Sequence, residues 1–358
     1  MDTSLPLKKR ILVWLSWGVD SAVAAALLLE QWYEVIAWFM KNYADESNPS
    51  CHTREDRDMA LKVAAHLWIK TFIIFDFREE YNQRIIQYIY DWYTRWVTPN
   101  PDVLCNSLVK FDLFLEEAKK LWCSWVATGH YARVIHQDWS HQLLKWVDTN
   151  KDQSYFLSGL NQTQLAHARF PLGELTKPQV RQKAVALWLP NAERKDSQWL
   201  CFIGKVPMKE FLAKELSTTP WQIKDSSGKI LWTHPWALFY TIGQREWIGL
   251  SGWPRFVVEK NIQTNELIVW HEDDPRLWSS TVIVTDRQRS GNEYTLPLEA
   301  SAKLRYRQPD QPCTITKNAV GDILLHFSSI QRAVTPGQIA VVYQDDILLA
   351  QWVISSAY

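Results

Sequence analysis

The stretch that decides the fold is Arg10-Ile11-Leu12-Val13-Trp14-Leu15-Ser16-Trp17-Gly18-Val19-Asp20-Ser21, followed by the Ala- and Leu-rich run 22–30. The apolar run at its start predicts a buried parallel strand, and the run after it predicts a helix. Residues 16–21 are therefore expected to form a tight strand-to-helix loop. The N–H groups and positive dipole end of such a helix attract anions, and the hydroxyls of Ser16 and Ser21 add donors. The loop is a predicted phosphate site.

The loop has neither the lysine of a Walker A loop nor the GxGxxG spacing. It resembles the Ser-Gly-Gly-x-Asp-Ser pyrophosphate loop of enzymes that split ATP into AMP and pyrophosphate, with Trp17 where that pattern has glycine. Asp20 is expected to cap the helix or, through an Mg²⁺ ion, to face the phosphates. The alternative is an ordinary strand–turn–helix with a Ser/Asp cap.

Strand and helix patterns alternate over residues 10–130, which predicts a doubly wound parallel sheet with ligands at the carboxyl ends of its strands. Strands are expected at 34–40, 70–76 and 125–130, and helices at 56–68, 79–92 and 111–121. ATP is expected to span Ser16, Met40 and Gly129, which follow three of these strands, with the adenine near Met40 and Gly129. A hairpin is predicted at 131–147 and a helix at 177–188.

A chain of 358 residues is expected to have two or three domains, with cores large enough to need no disulfides. No signal peptide and no long apolar run is evident, so a soluble, cytoplasmic protein without membrane contact is expected. Five cysteines without a CxxC pair argue against a disulfide framework and a zinc ribbon, and no metal ligands are assigned. Lys+Arg and Asp+Glu both number 39, so nucleic-acid contact would depend on local patches.

The chain has 21 Trp and only 12 Gly, where glycine is usually about 7% of residues. Tryptophan follows four predicted helices at the position where a left-handed backbone favours glycine. These residues are Trp32, Trp68, Trp122 and Trp188. We expect most of the tryptophans to be glycines in the functional protein, for instance because a reassigned stop codon that encodes glycine was translated as tryptophan. The alternative is a truly Trp-rich chain.

Two stretches carry cysteines in polar surroundings. Residues 98–106 hold two prolines, which predict a stiff, extended loop that presents its side chains. Cys105 in this loop is either reactive or a small buried core residue. Cys201 follows a polar turn within 195–204, in an apolar setting. After 204 the strand–helix rhythm ends, with a short helix expected at 208–215, hairpin-like runs to about 275, and short strands to 358 with turns at 290–292 and 336–337.

Together these stretches resemble the tRNA-specific 2-thiouridylases, the MnmA/TrmU family, over nearly the whole chain. The matching blocks are 16–21, 39–42, 98–106, 127–131, 150–156, 170–173, 195–204, 241–245, 304–308 and 334–338. The resemblance implies a PP-loop ATP-pyrophosphatase domain (1–205), a small central tRNA-binding domain (206–275) and a C-terminal β-barrel (276–358). Periodicity alone supports only an all-β region of one or two domains after 204.

By this resemblance, the enzyme replaces the C2 oxygen of the wobble uridine of certain tRNAs with sulfur. ATP, with Mg²⁺, adenylates the oxygen, and the ATP site comprises Trp14, Leu15, Ser16, Trp17, Gly18, Val19, Asp20, Ser21, Met40 and Gly129. Sulfur arrives as a persulfide on Cys201 from a cysteine desulfurase or a sulfur-relay protein. Cys105 completes the transfer and leaves a Cys105–Cys201 disulfide. Asp102 shuttles a proton, and it meets the flipped base together with Asn100 and Pro101.

The resemblance also implies tRNA contacts at Lys151, Asp152 and Gln153, and at Arg305 and Tyr306. We expect Lys303, Arg305 and Arg307 to alternate along a strand and to share one face, with Lys303 only a solvated charge.

The departures from the family pattern are at glycine positions, where Trp14, Trp17 and Trp199 stand in the ATP loop and beside Cys201, and Trp247 and Trp253 flank Gly249. A Trp17 indole is expected to fill the pyrophosphate space. A protein that truly carries tryptophan at position 17 would therefore bind ATP poorly. Two alternatives are another PP-loop ATP pyrophosphatase acting on a small molecule, and a catalytically dead tRNA-binding homologue.

Overall fold

The computed structural model describes residues 9–41, 53–95, 97–137, 140–194, 211–212, 219–246, 248–249, 254–261, 264–289 and 294–358. Its strands are β1 Arg10–Trp14, β2 Glu34–Lys41, β3 Thr71–Asp76, β4 Trp125–Ala127, β5 Arg133–His136, β6 His141–Leu144, β7 Ala168–Arg169, β8 Trp221–Asp225, β9 Ile230–His234, β10 Phe256–Asn261, β11 Glu266–Trp270, β12 Trp278–Arg289, β13 Leu298–Lys303, β14 Gln311–Lys317, β15 Ile323–Arg332, β16 Ile339–Gln344 and β17 Ile347–Ala357. Its α-helices are α1 Val19–Glu30, α2 Thr53–His66, α3 Arg78–Tyr81, α4 Gln87–Thr94, α5 Pro101–Leu104, α6 Asp112–Lys120, α7 Ser154–Leu157, α8 Gln162–His167 and α9 Lys177–Ala186. Within the described ranges, no helix is long and apolar enough to span a membrane.

The predicted parallel sheet is present, with strand order β3-β2-β1-β4-β7 and every pairing parallel. Its central strand β1 is buried on both faces because alternate residues point to opposite sides. Leu12 packs into one core cluster, whereas Ile11 and Val13 pack into the other, with α1. The doubly wound prediction is therefore confirmed. The strand predicted at 125–130 is shorter and ends at Ala127, which leaves 128–130 free to turn towards α1.

Four helices end as the Trp pattern predicts. The backbone is left-handed at Trp32 (φ 65°), Trp68 (φ 56°), Trp122 (φ 56°) and Trp188 (φ 52°). Each follows the last turn of α1, α2, α6 or α9. The predicted left-handed positions are confirmed, and each tryptophan there carries a Cβ in a conformation that favours glycine.

The prediction of an extended, presented loop over 98–106 is wrong in its second half. Residues 97–100 have no regular secondary structure, but α5 begins at Pro101 and continues through a π-helical segment, Cys105–Phe111, into α6. A proline is tolerated at the first position of a helix because the N–H that it lacks would have no partner there. Cys105 and Asn106 are buried in consequence, not presented.

The chain after residue 219 forms two β structures. One is a four-stranded sheet of order β10-β11-β8-β9. The other is a closed six-stranded barrel, in which β12 pairs with both β15 and β17 and so joins the two ends of the sheet. The predicted C-terminal barrel is confirmed, and the hairpin β5–β6 extends it through β17. The turn at 336–337 is present, whereas the turn at 290–292 and all but 211–212 of the predicted helix 208–215 lie outside the described residues.

Candidate functional site

The loop between β1 and α1 is braced by the hydroxyls of Ser16 and Ser21. The Ser21 Oγ lies 3.0 Å from the Ser16 Oγ, accepts a hydrogen bond from the Ser16 N–H and lies 3.0 Å from the Gly18 carbonyl oxygen. The Gly18 N–H donates to the Ser16 Oγ at 3.2 Å. Leu15 and Val19 anchor the two ends of the loop in the core. The loop is thus fixed with the N-terminus of α1 at the carboxyl edge of the sheet, as an anion site requires.

Asp20 does not cap α1, and that part of the prediction is wrong. The N-cap residue is Gly18, and Asp20 lies in the first turn of the helix. Its Oδ1 accepts hydrogen bonds from the Tyr131 hydroxyl and the Lys177 ammonium, both at 2.6 Å. The carboxylate therefore fastens the segment after β4 and the start of α9 to the loop.

Gly129 lies against the first turn of α1. A Cβ at this position would be 2.6 Å from the Ser21 backbone nitrogen and 2.7 Å from the Asp20 carbonyl carbon. Only glycine permits this approach, which brings the chain after β4 to the loop. Met40, near the end of the neighbouring strand β2, is buried in the core. That the adenine lies near Met40 and Gly129 stays a prediction.

Each tryptophan of the loop contacts a cation. The Arg194 guanidinium lies 4.2 Å from the ring centre of Trp17 and also pairs with Asp56 at 2.9 Å. The Lys110 Nζ lies 4.5 Å from the ring centre of Trp14. Such cation–π contacts are attractive because the ring face is negative. The expected blockage of the pyrophosphate space by the Trp17 indole stays a prediction.

Asp102 and Cys105 occupy the first turns of the helical stretch that starts at Pro101. Asp102 is half-buried, and the Asn106 side-chain amide donates to its backbone carbonyl at 3.0 Å. Burial raises the pKa of the Asp102 carboxyl, and the Lys110 ammonium on the same helical stretch partly opposes that rise. Cys105 is 1% exposed. A carboxyl with a raised pKa is suited to accept and return a proton.

The C-terminal barrel contacts residues 98–100, the part of the proline-containing stretch that precedes α5. The Gln338 side-chain amide donates to the carbonyls of Thr98 and Pro99, both at 3.1 Å. Asn100 donates to the Gln338 Oε1 at 3.4 Å. A Cβ at Gly337 would lie 2.7 Å from the Thr98 carbonyl oxygen, so the two segments are in close contact. The position of Asp102 and Cys105 is thereby tied to the C-terminal barrel.

Two residues of the predicted tRNA-contacting turn, Asp152 and Gln153, make hydrogen bonds within the protein. Asp152 is buried, accepts hydrogen bonds from the Ser154 hydroxyl at 2.8 Å and the Trp146 N–H at 3.0 Å, and pairs with Lys303 at 3.3 Å. The Gln153 Oε1 accepts the Tyr131 N–H at 2.8 Å. Lys151, by contrast, is half-buried at the end of a short 3₁₀ turn, Thr149–Lys151.

The prediction of a basic strand face is wrong. The strand β13 ends at Lys303, and the chain then turns, with Arg307 at φ 66°. Lys303 is not a solvated charge, because its side chain is 13% exposed and is paired with Asp152. Arg305 is exposed, while the Tyr306 ring packs 4.2 Å from that of Phe156. A glutamine, Gln308, accepts the Leu304 N–H and stabilises this turn, which alternation alone could not reveal.

Cys201, Trp199 and the rest of 195–204 lie outside the described residues, as do Trp247 and Trp253. The structure thus gives no relation between Cys105 and Cys201. Among the residues that it does describe, no three His, Cys, Asp or Glu side chains gather as a metal site.

Sequence reasoning missed four residues of the site: Lys110, Tyr131, Lys177 and Gln338. Lys110 had a local signal, because it follows Asp102 and Asn106 at intervals of four residues, the spacing of one helix face. Tyr131 and Gln338 lie in the matching blocks 127–131 and 334–338, but their roles, like that of Lys177, depend on contacts with residues distant in sequence.

Three family models match the chain in succession. The model described as the tRNA methyl transferase HUP domain matches residues 9–205. The tRNA methyl transferase PRC-barrel domain matches 209–271, and the aminomethyltransferase beta-barrel domain matches 270–351.

Curated relatives match over nearly their full length. A protein of Ralstonia pickettii named tRNA-specific 2-thiouridylase MnmA is 43% identical over 361 residues, with 98% of this chain and 97% of the relative covered. A protein of the same name from Exiguobacterium sibiricum is 40% identical, with 99% and 96% covered. Among solved structures, a 4-thiouridine synthetase–RNA complex with bound ATP matches at 15% identity and a TM-score of 0.36, covering 57% of this chain and 50% of that one.

Proposed function

This chain belongs to the MnmA family of tRNA-specific 2-thiouridylases, and we propose that it replaces the C2 oxygen of the wobble uridine of tRNA with sulfur in an ATP-dependent reaction. One observation carries the proposal. The Phe111 ring, at the end of the helical stretch with Asp102 and Cys105, lies 6.2 Å from the ring of His130, which follows Gly129 at the first turn of α1. The helical stretch and the phosphate loop therefore lie at the same sheet edge. A nucleotide-activating loop and a cysteine nucleophile at one edge suit a two-step group transfer.

In the first step, the uridine O2 attacks the α-phosphorus of ATP. The O2–phosphorus bond forms, and the bond to the bridging oxygen breaks with its electron pair leaving on pyrophosphate. The N3 proton of the uridine passes to Asp102, whose raised pKa suits it to hold that proton. Residues 14–21, with Met40 and Gly129, bind the nucleotide, and Mg²⁺ accompanies it. The braced loop at the N-terminus of α1 supports this assignment.

In the second step, sulfur carried as a persulfide on Cys201 replaces the adenylated oxygen. The thiolate of Cys105 attacks the Cys201 sulfur, and the electrons of the broken S–S bond go to the terminal sulfur. That sulfur bonds to C2 while AMP leaves with the electron pair of the C2–O bond. A Cys105–Cys201 disulfide remains, and a thiol reductant returns it to two thiols. The burial of Cys105 supports a protected thiol at this place.

The tRNA surface comprises two groups of residues. Asn100, Pro101 and Asp102 meet the extruded base, and Lys151, Asp152, Gln153, Arg305 and Tyr306 hold the rest of the tRNA. The burial of Asp152 and its pairing with Lys303 support an indirect part for this residue, which shapes the turn that carries Lys151. Arg305, which is exposed, is the member of the second pair suited to a phosphate.

Three further assignments belong to the same proposal. The sulfur donor is a cysteine desulfurase or a relay protein, because Cys201 must be loaded with a persulfide. The enzyme acts in the cytoplasm, where tRNA and ATP meet. The domain limits are 1–205, 206–275 and 276–358.

The experiment scores AMP, persulfide on Cys201 and 2-thiouridine in a parent protein with Trp14, Trp17 and Trp199 replaced by glycine. The parent with tRNA, ATP and a persulfide donor should make 2-thiouridine. Cys201→Ser should still release AMP but make no 2-thiouridine, since it has no sulfur carrier. Asp20→Ala should lose both signals, and Cys105→Ser should load persulfide and then stall.

Cys313→Ser is the matched control, because this buried thiol lies in the barrel core, and it should behave as the parent. Normal 2-thiouridine formation by Cys201→Ser would overturn the mechanism. AMP formation without tRNA would favour a small-molecule pyrophosphatase, and tRNA binding without any AMP would favour a dead homologue.

A further inference from the structure

Four side chains of alternating charge, here called the ionic network, join the segment between β6 and α7 to the barrel. Lys145 pairs with the Oδ2 of Asp310, the Oδ1 of Asp310 lies 3.7 Å from the Lys303 Nζ, and Lys303 pairs with Asp152 at 3.3 Å. Lys145 and Asp152 belong to the segment before α7, whereas Lys303 and Asp310 belong to the barrel. Each aspartate therefore contacts a lysine of the opposite segment.

The ionic network is largely buried, and its charges are balanced. The side chains of Lys145 and Lys303 are only 9% and 13% exposed, and Asp152 is buried. Both ammonium groups lie near the ring of the buried Tyr343, at 4.5 Å and 5.4 Å from its centre. The Tyr343 hydroxyl lies 3.0 Å from the Ser154 Oγ, which donates to Asp152. A buried polar network whose members are all paired holds the chain around it in one arrangement.

One end of the ionic network closes the turn that carries Lys151. The Asp152 Oδ1 accepts the N–H of Trp146 at 3.0 Å and the N–H of Ser154 at 3.1 Å, on either side of that turn. Both donors are backbone groups, so these bonds do not depend on which residue stands at position 146. Lys303 balances the charge of the carboxylate that makes them.

The other end holds the barrel turn that carries Arg305. Lys303 is the last residue of β13, and Asp310 immediately precedes β14, so the two lie at the ends of the turn 304–309. Arg305 is exposed on this turn. The ionic network therefore joins two turns that are remote from each other in the chain, and each carries a residue to which the proposed function assigns a tRNA contact.

We propose that Lys303 is a positioning residue of the tRNA surface, which fixes the turn with Lys151 against the turn with Arg305 before tRNA binds. The inference rests on the proposed function and adds to it how the spacing of these two contacts is set. Lys303 acts through Asp152 and Asp310 and does not itself touch the RNA. Contacts that are held in place beforehand bind more tightly, because less conformational freedom is lost on binding.

The test measures the tRNA dissociation constant of the parent protein, of Lys303→Met and of Lys303→Arg at several salt concentrations, without ATP. Lys303→Met should raise the dissociation constant about tenfold, the usual cost of ordering one or two side chains on binding. The dependence of affinity on salt should stay that of the parent, because the same phosphates are contacted in the complex. Lys303→Arg should recover most of the affinity, because the charge between the turns is kept.

The salt dependence separates positioning from direct contact. A slope that falls by about one counterion in Lys303→Met would show that Lys303 binds a phosphate itself, and this would overturn the inference. An unchanged dissociation constant would overturn it as well. In the full reaction of Lys303→Met, the KM for tRNA should rise, while kcat and the KM for ATP keep the values of the parent.

Asp310→Asn provides a second variant that does not depend on the folding of Lys303→Met. The Asp310 side chain is 39% exposed, so the loss of its charge should be tolerated by the fold. We expect the tRNA dissociation constant to rise about threefold, although the loss of a negative charge by itself favours RNA binding. Simple charge effects would have opposite signs in Lys303→Met and Asp310→Asn. Unchanged or tighter binding by Asp310→Asn would overturn the inference.

Ser158→Ala is the matched control, because it also removes a buried contact with the barrel. The Ser158 Oγ lies 2.7 Å from the Gln351 Oε1 of β17, outside both turns. This variant should lower the urea midpoint and leave the tRNA dissociation constant unchanged. A loss of tRNA affinity as large as that of Lys303→Met would show that any loosening of the barrel has this effect, and would overturn the specific part of Lys303.

The binding measurement also separates this inference from the proposed reaction. A parent protein that binds tRNA but makes no 2-thiouridine would refute the reaction, while the comparison of the Lys303 and Asp310 variants would still decide the inference. A parent protein that does not bind tRNA would refute both.

Discussion

The first 194 residues and the part after 219 meet the same backbone requirement with different residues. In the described residues of the first part, positive φ occurs at four positions, and all are tryptophan: Trp32, Trp68, Trp122 and Trp188. After 219, five of the nine such positions are glycine: Gly228, Gly243, Gly249, Gly321 and Gly337. Glycine adopts this conformation without a Cβ clash, whereas other residues lose about 1–2 kcal/mol. Every left-handed position described in the first part therefore carries a Cβ, whereas fewer than half of those after 219 do, namely Asn265, Arg307, Ala333 and Asp345.

The four strained helix ends share one hydrogen-bond pattern. At the end of α1, the Trp32 N–H donates to the Leu29 carbonyl at 3.0 Å and the Tyr33 N–H to the Leu28 carbonyl at 3.1 Å. The same pair of bonds follows Trp68, Trp122 and Trp188, which defines a Schellman motif at each. The tryptophan side chains are 76–87% exposed, so they gain little burial to offset the strain.

The largest effect is expected from replacing all four tryptophans with glycine. Relief of the left-handed strain should raise the free energy of unfolding by about 4 kcal/mol in total, at about 1 kcal/mol per site. Urea unfolding of the chain with and without the four substitutions measures the gain. Trp232→Gly is the control, because Trp232 is 61% exposed but lies in strand β9, and it should not stabilise the protein. If the urea midpoint of the fourfold variant were unchanged, the four tryptophans would not be strained.

The residue identity itself can be tested. Peptide sequencing of the protein purified from its native source should find glycine at 17, 68, 122, 188 and 199. Tryptophan at these sites would show that the chain is truly Trp-rich and would end that hypothesis.

The next effect is expected at Gly337, where a glycine of the second part touches the first. Gly337→Ala places a Cβ 2.0 Å from the Val97 side chain and 2.7 Å from the Thr98 carbonyl oxygen, at φ 89°. Overpacking and left-handed strain together should lower the free energy of unfolding by about 2–4 kcal/mol. Because Thr98 leads into Asp102 and Cys105, the rate of 2-thiouridine formation should fall as well. A stable Gly337→Ala protein with a normal rate would show that the contact is dispensable.

The smallest effect is expected at Gly228, where a substitution adds left-handed backbone strain without a steric clash. Gly228 has φ 86°, but a Cβ there would meet no atom within 4 Å. Gly228→Ala should therefore cost only about 1 kcal/mol of stability and leave catalysis unchanged. A loss as large as that of Gly337→Ala, measured by the same urea unfolding, would mean that the backbone and not the clash sets the cost.

Sequence patterns predicted the features that depend on residues close together in the chain. The strand–helix alternation predicted the parallel sheet, and the tryptophan after each helix predicted the left-handed residue. The prolines misled because Pro101 starts a helix, which the residues before it did not reveal. The role of Asp20 could not be predicted, since its partners Tyr131 and Lys177 lie 111 and 157 residues away. The burial of Asp152 depends on Lys303 from the barrel, which is equally remote.

The bonds of Gln338 to the carbonyls of Thr98 and Pro99 also bear on how this protein can evolve. A gene rearrangement that exchanged the C-terminal barrel for a different domain would remove the donor that supports the entry to the Asp102 and Cys105 helix. Tyr155 and Ser158 would lose their partners Ile339 and Gln351 in the same event. Domains joined in this way are inherited as one unit, because a new C-terminal domain would have to supply the same bonds.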